Sequence, residues 1–102
     1  MTLEETLVSV WRQVLVDHAA AAEVDGVKVP AKRTSTSHLW QVDFNFAGRP
    51  LRGIEQNPKT KSRWAQLARS GKPVMQFLDD GRYVGVVVDG KLTLYGNARA
   101  AK

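Results

Sequence analysis

Apolar residues recur at helical spacing at the start of the chain. Between residues 3 and 18 they fall every three to four positions on one face, which is typical of an amphipathic helix. Thr2, with Glu5 three residues later, is a capping box that marks a helix N-terminus. The alanines at 19–22 favour the helix by propensity. The pattern predicts a long first helix that ends at the Asp-Gly pair of residues 25–26.

The next stretch alternates between apolar and polar positions, as strands do. In residues 39–46 every second side chain is aromatic or valine, so one face of this strand is expected in the core. Residues 27–33 alternate weakly and predict an edge strand, because Pro30 lacks the N–H that a central strand uses. A return strand is predicted over residues 51–56, with a bulge at Gly53, where the alternation slips.

A second helix is predicted over residues 58–70. Asn57 is a good N-cap, Pro58 suits the first helical position, and Gly71 is a C-terminal stop. At 100° per residue, the core-facing positions share one side of this helix. They are Thr60, Trp64, Leu67 and Ala68.

Three short strands are predicted after the second helix, over residues 73–79, 82–89 and 91–96. The Asp-Gly pairs at 80–81 and 89–90 lie between them. Asp-Gly between two strand patterns favours a tight hairpin. The sequence therefore predicts a three-stranded meander whose middle strand is buried.

Together the elements predict an α+β fold in the order α-βββ-α-βββ, with antiparallel meanders packed against two helices. The 102 residues form a single domain, residues 1–102, whose tail after residue 95 is expected to fray.

The chain has no cysteine, so disulfides and cysteine zinc sites are excluded. No apolar run has the length of a membrane span, and the acidic N-terminus is unlike a secretory signal. We therefore expect a cytoplasmic protein that does not bind membranes.

The formal charge of +5 is unevenly distributed along the chain. Residues 1–26 hold one cation and five anions, whereas residues 27–72 hold ten cations and two anions. The acidic first helix could lie against the basic segment and neutralise it, or the basic segment could face an external polyanion. Both interpretations remain open at the level of sequence.

Residues for catalysis are scarce. His18 and His38 are the two histidines. His18 lies in the apolar stripe and is expected to be partly buried, and His38 ends a polar loop. No nucleotide-binding, metal-binding or triad pattern is present. The sequence predicts a protein that is not an enzyme and that uses no cofactor or metal.

The start of the second helix is the strongest candidate for a binding site. Its cations oppose the helix dipole, yet together with the free N–H groups and nearby hydroxyls they suit a phosphate. A solvated helix face would account for the same residues, because the unfavourable dipole term is small. The candidate residues for binding an anion or nucleic acid are Lys59, Lys61, Arg63, Arg52, Arg49, Lys32, Arg33 and Asn57.

Two functions from different classes follow. The first is a small binding module for RNA, DNA or another polyanion, without strong sequence choice. The second is a protein-interaction or self-associating domain with no nucleic-acid role, which exposed strand edges and the charge split between the helices would suit.

Overall fold

The first helix, α1, begins at the capping box that the sequence predicts. In a computed structural model that describes residues 1–35, 38–56 and 63–95, α1 spans Leu3–Trp11. The Thr2 hydroxyl accepts a hydrogen bond from the Glu5 N–H at 3.1 Å, and the Glu5 carboxylate accepts one from the Thr2 N–H at 2.9 Å. The indole N–H of Trp11 donates to the Pro73 carbonyl at 2.9 Å, which ties the end of α1 to the start of a distant strand.

The predicted extension of this helix through the alanines is wrong. The helix widens into one π-helical turn over Arg12–Val16, and residues Ala21–Val24 form a strand, β1. Ala22 and Val24 are buried while Glu23 is exposed. Burial of one strand face therefore overrides the helix propensity of alanine, which is a weak preference.

In the described part of the chain, seven antiparallel strands form one sheet in which neighbours in sequence are neighbours in space. Four strands precede the second helix, one more than predicted, because the pattern of residues 19–26 favours a helix where β1 forms. The described strands make one sheet and not two separate meanders. The remaining strands are β2 (Val27–Arg33), β3 (Trp40–Phe46), β4 (Arg49–Glu55), β5 (Val74–Asp79), β6 (Arg82–Val88) and β7 (Lys91–Leu94).

The core lies between α1 and one face of the sheet. α1 contacts β1 at one edge and β7 at the other, so the sheet curves around the helix. The predicted alternation in β3 is confirmed, since Val42 and Phe44 are buried and Asp43 and Asn45 are exposed. The predicted burial of the middle strand of the meander, β6, is also confirmed over residues 84–87.

Gly53 does not form the predicted bulge. It pairs regularly with Val42 in the β3–β4 ladder. A Cβ atom here would lie 2.8 Å from Cε1 of Phe77 and 2.9 Å from the sulfur of Met75. The glycine is therefore explained by close packing against β5, and the irregular pairing occurs instead between β5 and β6, at Phe77 and Leu78.

The second helix, α2, spans Arg63–Arg69 in the described part of the chain and packs against β5. Among the described side chains of α2, Ala65 is fully buried although it is not a predicted core position, while Leu67 and Ala68 are half-buried. The predicted helix start at Asn57 and Pro58, the core position Thr60 and the frayed tail lie outside the described residues. The side chain of Trp64 lies outside them as well. Neither described helix is long and apolar enough to cross a membrane.

Candidate functional site

The strongest sequence candidates for anion binding lie outside the part of the chain that the structure describes. These are Asn57, Lys59 and Lys61. Arg63 is the first described residue of α2, and its side chain also lies outside. The geometry of the predicted cluster therefore remains a prediction, and four other candidates can be placed.

Arg49 and Arg52 are engaged with carboxylates of neighbouring strands. Arg49 donates through Nε and one terminal nitrogen to the same oxygen of Asp79, at 2.9 and 2.7 Å. Arg52 donates from Nε to Asp43 at 2.7 Å. Ion pairs this exposed stabilise the fold by less than about 1 kcal/mol. They do reduce the charge that either arginine presents to a polyanion.

Arg33 and Lys32 lie at the end of β2. The Arg33 guanidinium lies 4.5 Å from the ring centroid of Trp40 and donates to the His38 carbonyl at 3.3 Å. This stacking fixes Arg33 over a half-buried aromatic ring. Lys32 is exposed, and it makes no ion pair with any described residue.

The four placed cations divide between the two faces of the sheet. Lys32 is opposite Gln41, and Arg52 is opposite Asp43, so both lie on one face of the sheet by strand alternation. Arg33 and Arg49 are opposite the first and last residues of β3 and lie on the other face. The described candidates are therefore not brought together in one patch.

Neither histidine makes an ion pair with a described residue. Both are exposed, and both have a positive φ, 54° at His18 and 56° at His38. The expected partial burial of His18 is wrong because the helix ends before it. Within the described ranges, no three His, Asp or Glu side chains are grouped in a way that could hold a metal ion.

A cleft that no local sequence pattern predicts opens where β2 separates from β3. The two strands pair only from Ala31 to Arg33 on β2, although β3 continues for four more residues. Continued in the same register, Pro30 would lie opposite Asp43. Proline has no N–H to donate across the ladder, so this position favours separation, and residues 27–30 of β2 pair with β1 alone. The predicted edge position of β2 is wrong, because β2 lies between β1 and β3 in the sheet.

The β2–β3 cleft has a volume of about 670 Å³. One wall is the β1–β2 hairpin, and the other is formed by β3, β4 and the turn between β5 and β6. The lining residues are Val24, Asp25, Val27, Val29, Asp43, Phe44, Asn45, Pro50, Leu51, Arg52, Leu78, Asp80 and Gly81. A mostly apolar concavity of this size with a few polar groups is typical of a ligand site.

The charge of the cleft is opposite to that of the chain as a whole. Its lining holds Asp25, Asp43 and Asp80 but a single cation, Arg52, which is paired with Asp43. Asp25 and Asp80 are exposed and make no ion pair with a described residue. The sequence signals for this site are Pro30 and two Asp-Gly pairs, but only the tertiary fold shows that they meet.

No protein-family model, no curated protein and no solved structure matches this chain. The β2–β3 cleft and the exposed cations are therefore the features from which its function can be inferred.

Proposed function

We propose that this chain is a non-enzymatic protein-interaction module that receives an extended segment of a partner polypeptide in the β2–β3 cleft. The observation that carries the proposal is the early end of β2–β3 pairing. It leaves part of β3 as an open strand edge beside an apolar groove. Adding a strand to such an edge is a common mode of peptide recognition.

The hydrogen-bond pattern of β3 determines which backbone groups are available. Phe46 and Arg49 close a two-residue hairpin, so they form a hydrogen-bonded pair. In an antiparallel ladder such pairs alternate with pairs whose N–H and C=O groups point away. The backbone groups of Asp43 and Asn45 therefore point away from β4, towards the cleft. An added strand can bond to both residues.

The lining of the cleft supports the same proposal. Apolar side chains come from both walls, among them Val27 and Val29 on β2 and Phe44 on β3. Val27 is 60% exposed, so a partner side chain can cover it. Burial of apolar surface would supply affinity, and the backbone bonds would fix the orientation of the segment.

A matched pair of exposed valines tests this proposal. Val27→Asn places a neutral polar side chain in the cleft, whereas Val16→Asn places one on a residue that does not line it and is 44% exposed. Peptides are selected from a random display library on the wild-type protein and measured by fluorescence anisotropy. We expect Val27→Asn to weaken their binding several-fold, because apolar burial in the cleft is lost, and Val16→Asn to leave it unchanged. Selected peptides that bind both variants equally, or a library without enrichment, would contradict the proposal.

Binding of RNA, DNA or another polyanion is the second candidate function. The observation that favours it is the composition of β2, which presents Lys28, Lys32 and Arg33 as exposed cations and contains no acidic residue. These β2 cations and the predicted cations at the start of the second helix, Lys59, Lys61 and Arg63, would together contact phosphates. Such binding weakens steeply as salt is added.

Charge reversal distinguishes the second candidate from the first. The test compares a labelled single-stranded 20-mer on the wild type, on a Lys59/Lys61/Arg63→Glu triple variant, on Lys32→Glu and on the control Lys91→Glu. If the candidate is right, the first two variants lose binding at an unchanged melting temperature, and Lys91→Glu loses little. Equal retention of all four proteins on the nucleic acid would exclude it.

A further inference from the structure

We infer that the segment bound in the β2–β3 cleft is cationic, with Lys or Arg side chains alternating with apolar ones. This inference rests on the proposed function and adds the chemistry of the partner. It depends on charge complementarity at the cleft, on the positions of two hairpin turns and on the open edge of β3.

The charge balance inside the cleft is negative. Asp43 is satisfied by Arg52 at 2.7 Å and by the Gln41 side chain at 3.2 Å. Asp25 and Asp80 have neither kind of partner among the described residues. A chain with a formal charge of +5 therefore presents two unpaired carboxylates at this one concave site. Their field favours a cationic partner and repels an anionic one.

The two carboxylates belong to turns that are far apart in sequence. Asp25 is in the turn between β1 and β2, and Asp80 is in the turn between β5 and β6. Both have a φ near 50° and are followed by glycine, which is the geometry of a two-residue hairpin turn. The turn backbone holds each aspartate at the rim of the cleft, where a side chain projecting from a bound segment can reach it.

The open edge of β3 favours a polypeptide over a small organic cation. A bound strand would satisfy backbone groups of Asp43 and Asn45, which a small cation leaves unpaired. Successive side chains of a strand point to opposite sides. Alternate residues can thus meet the apolar lining, while those between them are directed to the rim. A repeat of cationic and apolar residues matches both surfaces.

The experiment uses a capped Lys-Val-Lys-Val-Lys-Val peptide, its Glu-Val counterpart, and a cationic version whose alternate backbone nitrogens are methylated. Binding is measured by calorimetry to the wild type, to the double variant Asp25→Asn/Asp80→Asn and to the control Asp17→Asn, an exposed aspartate outside the cleft. We expect the cationic peptide to bind and the anionic one not to bind. The double variant should lose about three- to tenfold in affinity, the range expected for two exposed ion pairs, and Asp17→Asn should match the wild type.

The outcomes separate the inference from the proposed function. If both peptides bind equally and the double variant has no effect, the cationic partner is wrong and strand addition stands. If the methylated peptide binds as well as its parent, strand addition itself is wrong. If no peptide binds but the wild type sediments as a dimer that the double variant loses, the occupant is a second copy, and both proposals of a separate partner are overturned.

Discussion

At the scale of single residues, four tight turns among the described residues connect strands of the sheet and share one conformation. Each has a positive φ at two successive positions, and glycine is always second, at residues 26, 48, 81 and 90. Aspartate is first in three of them, and Ala47, with a φ of 52°, is first in the fourth. Aspartate and asparagine tolerate this left-handed region, whereas alanine is strained there by about 1–2 kcal/mol.

Replacing Ala47 is expected to relieve that strain. Ala47→Asn should stabilise the protein by about 0.5–1 kcal/mol, because asparagine prefers the first position of this turn. Ala47→Val should destabilise it by at least about 1 kcal/mol, because a β-branched residue fits the left-handed region worst. Urea unfolding of both variants gives the two values. Changes of the same sign in both would contradict the left-handed turn.

At the scale of secondary-structure elements, the outer edge of β1 is bonded by a glutamine from the π-helical turn. The Gln13 side-chain oxygen accepts from the Glu23 N–H at 2.8 Å, and its nitrogen donates to the Glu23 carbonyl at 3.2 Å. The same nitrogen donates to the Ser9 hydroxyl at 3.0 Å. One side chain thus replaces a neighbouring strand and protects an edge that could otherwise pair with another chain.

Removing this glutamine should free the edge. Gln13→Ala is expected to lower the free energy of unfolding by about 1 kcal/mol, the usual net value of such hydrogen bonds, and to speed hydrogen exchange at the Glu23 amide. Gln41→Ala is the control, since it removes one surface bond to Asp43. Unchanged exchange at Glu23 would show that the side chain does not cover the edge.

The capping box of α1 makes part of the stability pH-dependent. Hydrogen bonds from the Thr2 backbone and then from its side chain lower the pKa of the Glu5 carboxyl below 4.5. Because the folded protein favours the ionised form, this contribution is present above pH 4.5 and is lost as pH falls through the lowered pKa. We expect the stability gap between wild type and Glu5→Gln to shrink below pH 4.5 in thermal melts. The neighbouring Glu4→Gln serves as the control, and a gap independent of pH would contradict this role of Glu5.

At the scale of the whole molecule, the end of β2–β3 pairing determines whether the β2–β3 cleft exists. The two strands could continue side by side, except that residue 30 is a proline and cannot donate to Asp43. Residues 27–30 of β2 therefore stay paired with β1 alone, on the opposite edge of the strand, and the cleft opens between them and β3. A single missing N–H group thus favours the separation of β2 from β3 that opens the cleft.

Restoring that N–H should close the cleft in part. Pro30→Ala is expected to extend the β2–β3 ladder, to slow hydrogen exchange at the Asp43 amide and to weaken binding of peptides selected on the wild type. Its stability should change little, because the new bond is offset by greater freedom of the unfolded chain. Pro50→Ala is the control for exchange, since Pro50 is opposite Asn45, where β3 and β4 exchange no hydrogen bonds. Equal exchange at Asp43 in both variants would show that Pro30 does not set the end of pairing.

Local patterns in the sequence determined much of the fold. The capping box, the alternation of β3, the hairpins at residues 80–81 and 89–90 and the buried β6 follow from rules that act over a few residues. The same rules failed at residues 19–26. Alanines favour a helix, and an Asp-Gly pair suits a helix end as well as a hairpin, so only the burial of Ala22 and Val24 decides for a strand.

The tertiary structure alone decided where charges and turns meet. The sequence shows ten cations in residues 27–72, but Arg49 and Arg52 lie on opposite faces of the sheet, each beside a carboxylate. It shows three Asp-Gly pairs, of which two contribute their aspartates to the lining of one cleft. Strand alternation and pairing register fix these positions, and both depend on contacts between residues distant in sequence. A local pattern can predict which residues are able to bind a ligand, but the tertiary fold determines which of them lie close together.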